Sequence, residues 1–192
     1  MEDLINIKNI HDYDDKFYND FLNTIKDEKK EKIKKVIKED EKKRKILGEY
    51  LFYDLLKEID IDYNDVLIKY NEHGKPLIDN YDIYYNISHK DDYSVCIISS
   101  KKVGIDIEKI KETDNKVLRF IATEKENIKS DEDYTFLYTL KEAYYKMIGT
   151  GLGNFKDIEF YITNEGIKSN KNIEIKSIKN DDYIISIIKD AC

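Results

Sequence analysis

The chain has 192 residues and a formal net charge of −7; 41% of it is hydrophobic, 38% charged and 12% aromatic, with 16 Tyr and no Trp. That composition excludes a disordered chain, and the length suffices for one domain or two small ones around a real core. No apolar run approaches the ~20 residues of a membrane span, and MEDLINIKNI lacks a basic region followed by an apolar stretch, so a soluble cytoplasmic protein with no membrane partner is expected.

LINIKNI alternates apolar and polar residues and predicts a first strand. Helical spacing follows from Asp14 to Ile59, with breaks near Lys26 and Glu39. Within it, Lys26 to Lys45 holds 11 basic and 6 acidic residues, an excess of five positive charges that leaves the remainder at −12. The plain reading of such a run is a solvated helix; it becomes a landing site for a phosphate-rich ligand only if other residues also point to phosphate. From Ile46 to Leu56 the apolar residues form a broad face that reads as core. VLIKY predicts a strand, and NEHGKP a turn carrying the only proline, Pro76. Short strands at IYYNIS, YSVCIIS and VGIDIE lie close together and are expected to be antiparallel. Cys96 falls in an apolar run and reads as buried, and Cys192 as a free terminal thiol, with no disulfide.

Helical spacing returns from Asp114 to Ile148 as two or three helices, with a start signal at Thr123 followed by Glu126, and Gly149, Gly151 and Gly153 end it. IEFYI, NIEIKSI and YIISIIK alternate as half-buried strands. The expected fold is α+β: two similar halves, residues 1–100 and 101–192, packed as a pseudo-dimer of antiparallel sheets with helices on one face.

If VGIDIE is a strand, Asp106 and Glu108 share one face while Ile105 and Ile107 face the core. Carboxylates so close repel unless a cation lies between them, and Mg²⁺ is the usual oxygen-loving ion where a substrate brings phosphates, with Mn²⁺ as a substitute. Taken alone, an Asp-x-Glu is more often an ordinary exposed strand edge. In YTLKEAYYKMIG, Glu142 and Lys146 lie four apart on one helix face, and the segment is too rich in apolar and aromatic residues to be wholly exposed. Glu142 offers a third oxygen ligand and Lys146 a charge for a phosphate.

GIDIE followed by TLKEAYYK resembles the signature of the 4′-phosphopantetheinyl transferases. HGKP at His73 to Pro76, YNISH at Tyr85 to His89, GTGL at Gly149 to Leu152, and DEKKEKIKK with EDEKKRKILGEYL resemble further segments of the longer, surfactin-type members, in order, over about residues 25 to 155. The resemblance implies that Asp106, Glu108 and Glu142 bind Mg²⁺ with the pyrophosphate of coenzyme A. It places Lys146, Lys141 and His89 at phosphates, Lys29, Lys32 and Arg44 at the 3′-phosphate, Lys75 and Pro76 at the adenine end, and Ser88 near the pyrophosphate. A serine of an apo acyl or peptidyl carrier protein would attack the β-phosphate and release 3′,5′-ADP. Glu124 resembles the family's acidic residue ahead of the signature helix and is the first candidate for the base, with Glu142 or a metal-bound water as alternatives. His11 and His73 keep a structural reading.

Tyr138 stands where the family more often has Trp or Phe, and the 34 residues from Glu108 to Glu142 make a short interval, which leaves open which carrier is modified. The length fits a monomer with one site between its halves. Two rivals are a non-catalytic module binding coenzyme A or a carrier through the same residues, and a nucleic-acid binder using Lys26 to Lys45; the −12 remainder and the lack of a reading motif oppose the latter.

Overall fold

The computed structural model describes residues 1–151, 153–163 and 165–191. Leu152 of the GTGL turn and Cys192, expected as a free thiol, lie outside the described residues. The predicted strand LINIKNI is β1 (Leu4–Asn9), and the helical region breaks where its spacing does, into α1 (Asp15–Leu22), α2 (Asp27–Lys34) and α3 (Glu39–Lys57). A small hairpin of β2 (Ile68–Tyr70) and β3 (Pro76–Ile78) leads to β4 (Tyr84–Lys90) and β5 (Tyr93–Ser99). β6 (Val103–Lys109), α4 (Asn115–Ile121) and α5 (Asp131–Ile148) follow, then β7 (Phe160–Thr163), β8 (Gly166–Ser169), β9 (Ile173–Asn180) and β10 (Tyr183–Asp190). Among the described residues no helix is long and apolar enough to cross a membrane.

Two antiparallel three-stranded sheets have the same order, β1-β5-β4 and β6-β10-β9. VGIDIE therefore pairs with the last strand of the chain rather than with its neighbour YSVCIIS. The halves repeat in detail. Asp91 and Asp181, each with φ 47°, open the two-residue turns of the hairpins β4–β5 and β9–β10. The following carbonyls, of Asp92 and Asp182, accept from the Ile10 and Ile110 N–H groups at 2.8 and 2.6 Å. Asn6 then corresponds to Asp106, since Asn6 pairs with Cys96 as Asp106 pairs with Ser186.

Each sheet has one helix on one face and the other sheet on the opposite face, so strands near the seam are buried on both. Cys96 and Ile98 of β5 join Leu51, Phe52 and Leu55 of α3, while Val95 and Ile97 meet Ile105, Ile107, Ile185 and Ile187 of the second sheet. Cys96 is buried and free. The T-shaped rings of Tyr93 and Tyr183, 4.9 Å apart, close one end of the seam.

On the helix-facing side of β6, Gly104 precedes Asp106 and Glu108 by the same two-residue step. A Cβ at Gly104 would lie 2.0 Å from the Ala143 carbonyl oxygen and 2.4 Å from the Met147 nitrogen, so α5 lies directly on the strand there. α5 is capped by Ser130, whose Oγ accepts from the Asp133 N–H at 3.0 Å, and it ends at Gly149 with φ 74°. The start signal at Thr123 is a turn, not a helix: Glu126 does accept from the Thr123 N–H at 2.8 Å, but the chain between α4 and α5 stays irregular. Because the obstacle is backbone and not a movable side chain, Gly104→Ala is expected to destabilise the fold by at least ~3 kcal/mol in denaturant unfolding. A loss under about 0.5 kcal/mol would show that α5 does not need this close approach.

Candidate active site

The carboxylate pair of GIDIE lies at the seam between the halves. Asp106 is buried, and its Oδ1 accepts from Lys146 Nζ at 2.6 Å and from Ser88 Oγ at 2.9 Å. Lys146 Nζ also donates to Ser88 Oγ at 2.8 Å. β4 of the first half, β6 of the second and the last turn of α5 thus meet in one triangle of polar groups. Asn86, two residues before Ser88, adds a second tie across the seam, its Oδ1 accepting from the Ile105 N–H at 2.8 Å.

Asp106 Oδ2 is buried without a hydrogen-bond partner among the described residues. An orphaned carboxylate oxygen is costly, and it suits a cation. Glu108 Oε2 pairs with Lys90 at 2.8 Å and, more loosely, with Lys111 at 3.5 Å. Burial holds Glu142 above the usual carboxylate range, and the nearby Asp106 pushes it further, against the pull of Lys146 and the Tyr138 hydroxyl. Burial raises Asp106 as well, opposed by Lys146 and Ser88. Three carboxylates therefore sense one another. Among the described residues, however, no three acidic, imidazole or thiol side chains are drawn together as a set that could hold a metal ion.

Two cavities meet beside this cluster. One, of about 310 Å³, has Glu142, Lys146, Lys75 and Gly149 in its walls; the other, of about 280 Å³, has Lys29, Lys32, Lys45 and His89. Pro76 and Asn86 line both, so a single cleft runs from the basic group to Glu142 and Lys146. At its basic end Lys29 is held by Glu49 at 2.7 Å, and Lys32 by Glu28 at 2.7 Å and over the Tyr70 ring. His89 is open to the cleft, yet its pKa is lowered to about 4, first by desolvation and then by Lys45, Arg44 and Lys146, so the ring is neutral at pH 7. His73, read as structural, stands exposed at the rim of the first cavity.

Three expected site residues lie elsewhere. Arg44 lines neither cavity, and its Nη1 donates to the Asp91 carbonyl at 2.6 Å in the β4–β5 turn. Its neighbour Lys45 faces the cleft instead. The signal for Lys45 was present in its four-residue spacing from Glu49, which puts both on one stripe of α3. Glu124 is exposed on the turn after α4. Lys141, expected at a phosphate, is fully buried: its Nζ donates to the carbonyls of Ile121 at 2.6 Å and Phe155 at 2.8 Å and to Glu126 Oε2 at 2.7 Å. Glu126 Oε1 in turn accepts from the Phe160 N–H at 2.8 Å. This ammonium braces α5 against the segments that flank it and is closed to any ligand.

A duplicated α+β fold whose basic cleft ends at Glu142 and Lys146, the latter paired with the buried Asp106, suits a phosphate-bearing ligand beside a hard cation, and the sequence relatives agree. Residues 102–188 match the family model of the 4′-phosphopantetheinyl transferase superfamily, and residues 14–102 match that of the 4′-phosphopantetheinyl transferase N-terminal region. The chain belongs to the 4′-phosphopantetheinyl transferase superfamily, and the transferase activity expected from its sequence is the one that family carries.

It is similar to the 4′-phosphopantetheinyl transferase gsp of Aneurinibacillus migulanus, 34% identical over 161 residues, which make up 79% of this chain and 68% of that protein. It is also similar to the 4′-phosphopantetheinyl transferase Sfp of Bacillus subtilis (strain 168), 31% identical over 142 residues, and to HetI of Nostoc sp., 29% identical over 135. The chain spans less than two thirds of those two relatives, 63% and 54% of their lengths.

Removing one member of a buried ion pair strands the other. Lys141→Met is therefore expected to cost ~3–5 kcal/mol of stability, and adding Glu126→Gln, which removes the stranded charge and keeps an acceptor for one of the two backbone N–H groups, to recover part of it. Equal stability of Lys141→Met and the native chain in urea would remove the brace.

Proposed function

We propose that this chain transfers the 4′-phosphopantetheine group of coenzyme A to a serine of an apo acyl or peptidyl carrier protein, releasing 3′,5′-ADP. The observation that carries the reading is the cleft itself, continuous from Lys29, Lys32, Lys45 and His89 to Glu142 and Lys146. Cations at one end fit the 3′-phosphate, and the polar triangle at the other fits the pyrophosphate. Both halves of one chain wall the cleft, which supports a monomer; the break between β5 and β6 supports halves of 1–100 and 101–192. The paired lysines of α2 and the absence of a base-reading motif leave nucleic acid without support as a partner.

Asp106, through its orphaned Oδ2, would hold Mg²⁺, for which Mn²⁺ could substitute; Glu108 and Glu142, not drawn to one point with it here, would have to turn toward the ion to complete the oxygen set. When bound, the ion would neutralise charge on the pyrophosphate. Lys146 would serve the same phosphates, and it needs only to exchange its bond to Asp106 for one to the ligand. The serine oxygen forms its bond to the β-phosphorus as the bond to the departing 3′,5′-ADP breaks. We assign the serine proton to Glu142, which lines the cleft beside Lys146, whereas Glu124 is exposed on its turn. Ser88 orients Asp106 and Lys146.

Incubation with coenzyme A, Mg²⁺ and purified apo-carriers of fatty-acid, polyketide and peptide type should add one phosphopantetheine mass to at least one carrier. Asp106→Ala should lower that rate by about a thousandfold or more with the fold retained. Tight coenzyme A binding with no mass gain on any carrier would favour the non-catalytic rival. Near-native turnover of Asp106→Ala would remove that residue from the site.

His89 gives a pH signature. Its folded pKa of about 4 lies below the ordinary value near 6.5, so the free protein loses stability as pH falls from ~6.5 toward 4. A bound phosphate favours the imidazolium, so coenzyme A binding should take up a proton in that window and tighten as the pH falls. Calorimetry in two buffers of different ionisation enthalpy measures the uptake, which His89→Gln should reduce; unchanged uptake in that variant would show that another group takes the proton.

A further inference from the structure

The loop between β2 and β3, Asn71 to Lys75, belongs to the first half, yet its side chains grip the end of α5 in the second. Lys75 Nζ donates to the carbonyls of Lys146 at 2.6 Å, Met147 at 2.8 Å and Val103 at 3.4 Å. Asn71 Nδ2 donates to the Gly149 carbonyl at 2.7 Å. The last carbonyls of a helix have no intrahelical partner and carry the negative end of its dipole, so an ammonium group there meets both demands.

The loop is itself rigid. Asn71 Oδ1 accepts from the His73 and Lys75 N–H groups at 3.0 and 2.8 Å, and the Asn71 N–H donates to the Lys75 carbonyl at 3.0 Å. The fit against α5 is close: a Cβ on Gly149, whose φ is 74°, would come within 2.7 Å of Lys75 Cδ and 3.1 Å of Asn71 Nδ2. Burial, with Lys102 nearby, lowers the Lys75 pKa to about 8, which fits an ammonium enclosed by backbone rather than one held out for an anion.

We propose that Lys75 and Asn71 are positioning residues, a latch by which the first half holds the last turn of α5 and keeps the Lys146 ammonium on Asp106. The proposal rests on the transferase reading and departs from the sequence expectation, which gave Lys75 to the adenine end of coenzyme A. One ammonium touches the start of β6, three residues before Asp106, and the carbonyl of Lys146 itself. It thereby fixes both members of the ion pair from outside their own half. The lysines of the other cavity lie on α2 and α3 and do not depend on it. The latch consequently acts more on turnover than on coenzyme A affinity, because Lys146 is one phosphate contact among several while its pairing with Asp106 is unique to the reacting end.

Lys75→Met keeps the side-chain stem beside Gly149 and removes only the ammonium. Asn71→Asp keeps the Oδ1 acceptor that closes the loop and replaces the donor to Gly149 with a carboxylate oxygen that repels that carbonyl. Both variants should lose about tenfold or more in kcat while the KM and the calorimetric Kd for coenzyme A stay within about threefold of native. Amide exchange over residues 146–151 should be about tenfold faster or more in both. A large rise in Kd with kcat unchanged would make Lys75 a coenzyme A contact and overturn the latch. Native kcat together with native exchange would also overturn it. Should Lys75→Met fail to fold, Asn71→Asp decides by the same measurements. Exchange does not require transfer, so a native protein that modifies no carrier refutes the proposed function while the exchange data still test the latch.

Discussion

A carboxylate buried at the seam of two half-domains is expensive to desolvate, and Asp106 is kept there by a single charged partner, Lys146, with Ser88 between them. Much else answers to that demand. Lys146 must stand in the last turn of α5, so the turn must be held, and α5 must lie against β6 closely enough for the bond, which only a glycine at position 104 allows. Ser88 comes from the other half, so the two sheets must dock in one register. Even so, one oxygen of Asp106 is left without a partner among the described residues, and Glu142 is pushed up in pKa by its neighbours. A site that carries this residual electrostatic cost suits a ligand that brings positive charge.

The duplication shows how the two halves came to differ, the second holding the buried carboxylate and the first the basic cavity. Asn6 occupies the place of Asp106, and its amide donates to Asp54 of α3 at 2.9 Å where Asp106 accepts from Lys146 of α5. Leu4 stands where Gly104 lets the helix approach, and Lys8 where Glu108 adds a second carboxylate. The same backbone frame thus holds an amide-to-carboxylate contact in one copy and a lysine-to-carboxylate ion pair in the other. The first helix layer gains instead a basic cavity, where Lys29 rests on Glu49, and Tyr85 donates its ring to the same ammonium. A ligand with phosphates at two places along its length needs both copies, and the cleft that joins them passes over Pro76 and Asn86.

Two lysines of the second cavity wall and signature helix illustrate the limits of motif reading. Lys141 and Glu142 are adjacent in sequence, but a residue step on a helix turns the side chain by about 100 degrees. That step separates a cleft-lining carboxylate from an ammonium sealed against Ile121, Phe155 and Glu126. The same step exchanges Arg44, which clips the β4–β5 turn, for Lys45, which faces the cleft.

Periodicity in the sequence determined the elements, because a period of two or of 3.6 needs only local geometry: β1, the three helices of the first half, α5 and its glycine stop, and the common face of Asp106 and Glu108 are all legible there. The order of the segments, with GIDIE ahead of LKEAYYK, likewise determined the family. Tertiary packing alone decided which strand pairs with β6, which way α3 and α5 are rotated, and therefore which lysines see the cleft. Those outcomes depend on contacts between residues distant in sequence, such as Lys146 with Asp106 and Lys75 with the end of α5, and no local pattern encodes the rotation of a helix about its own axis.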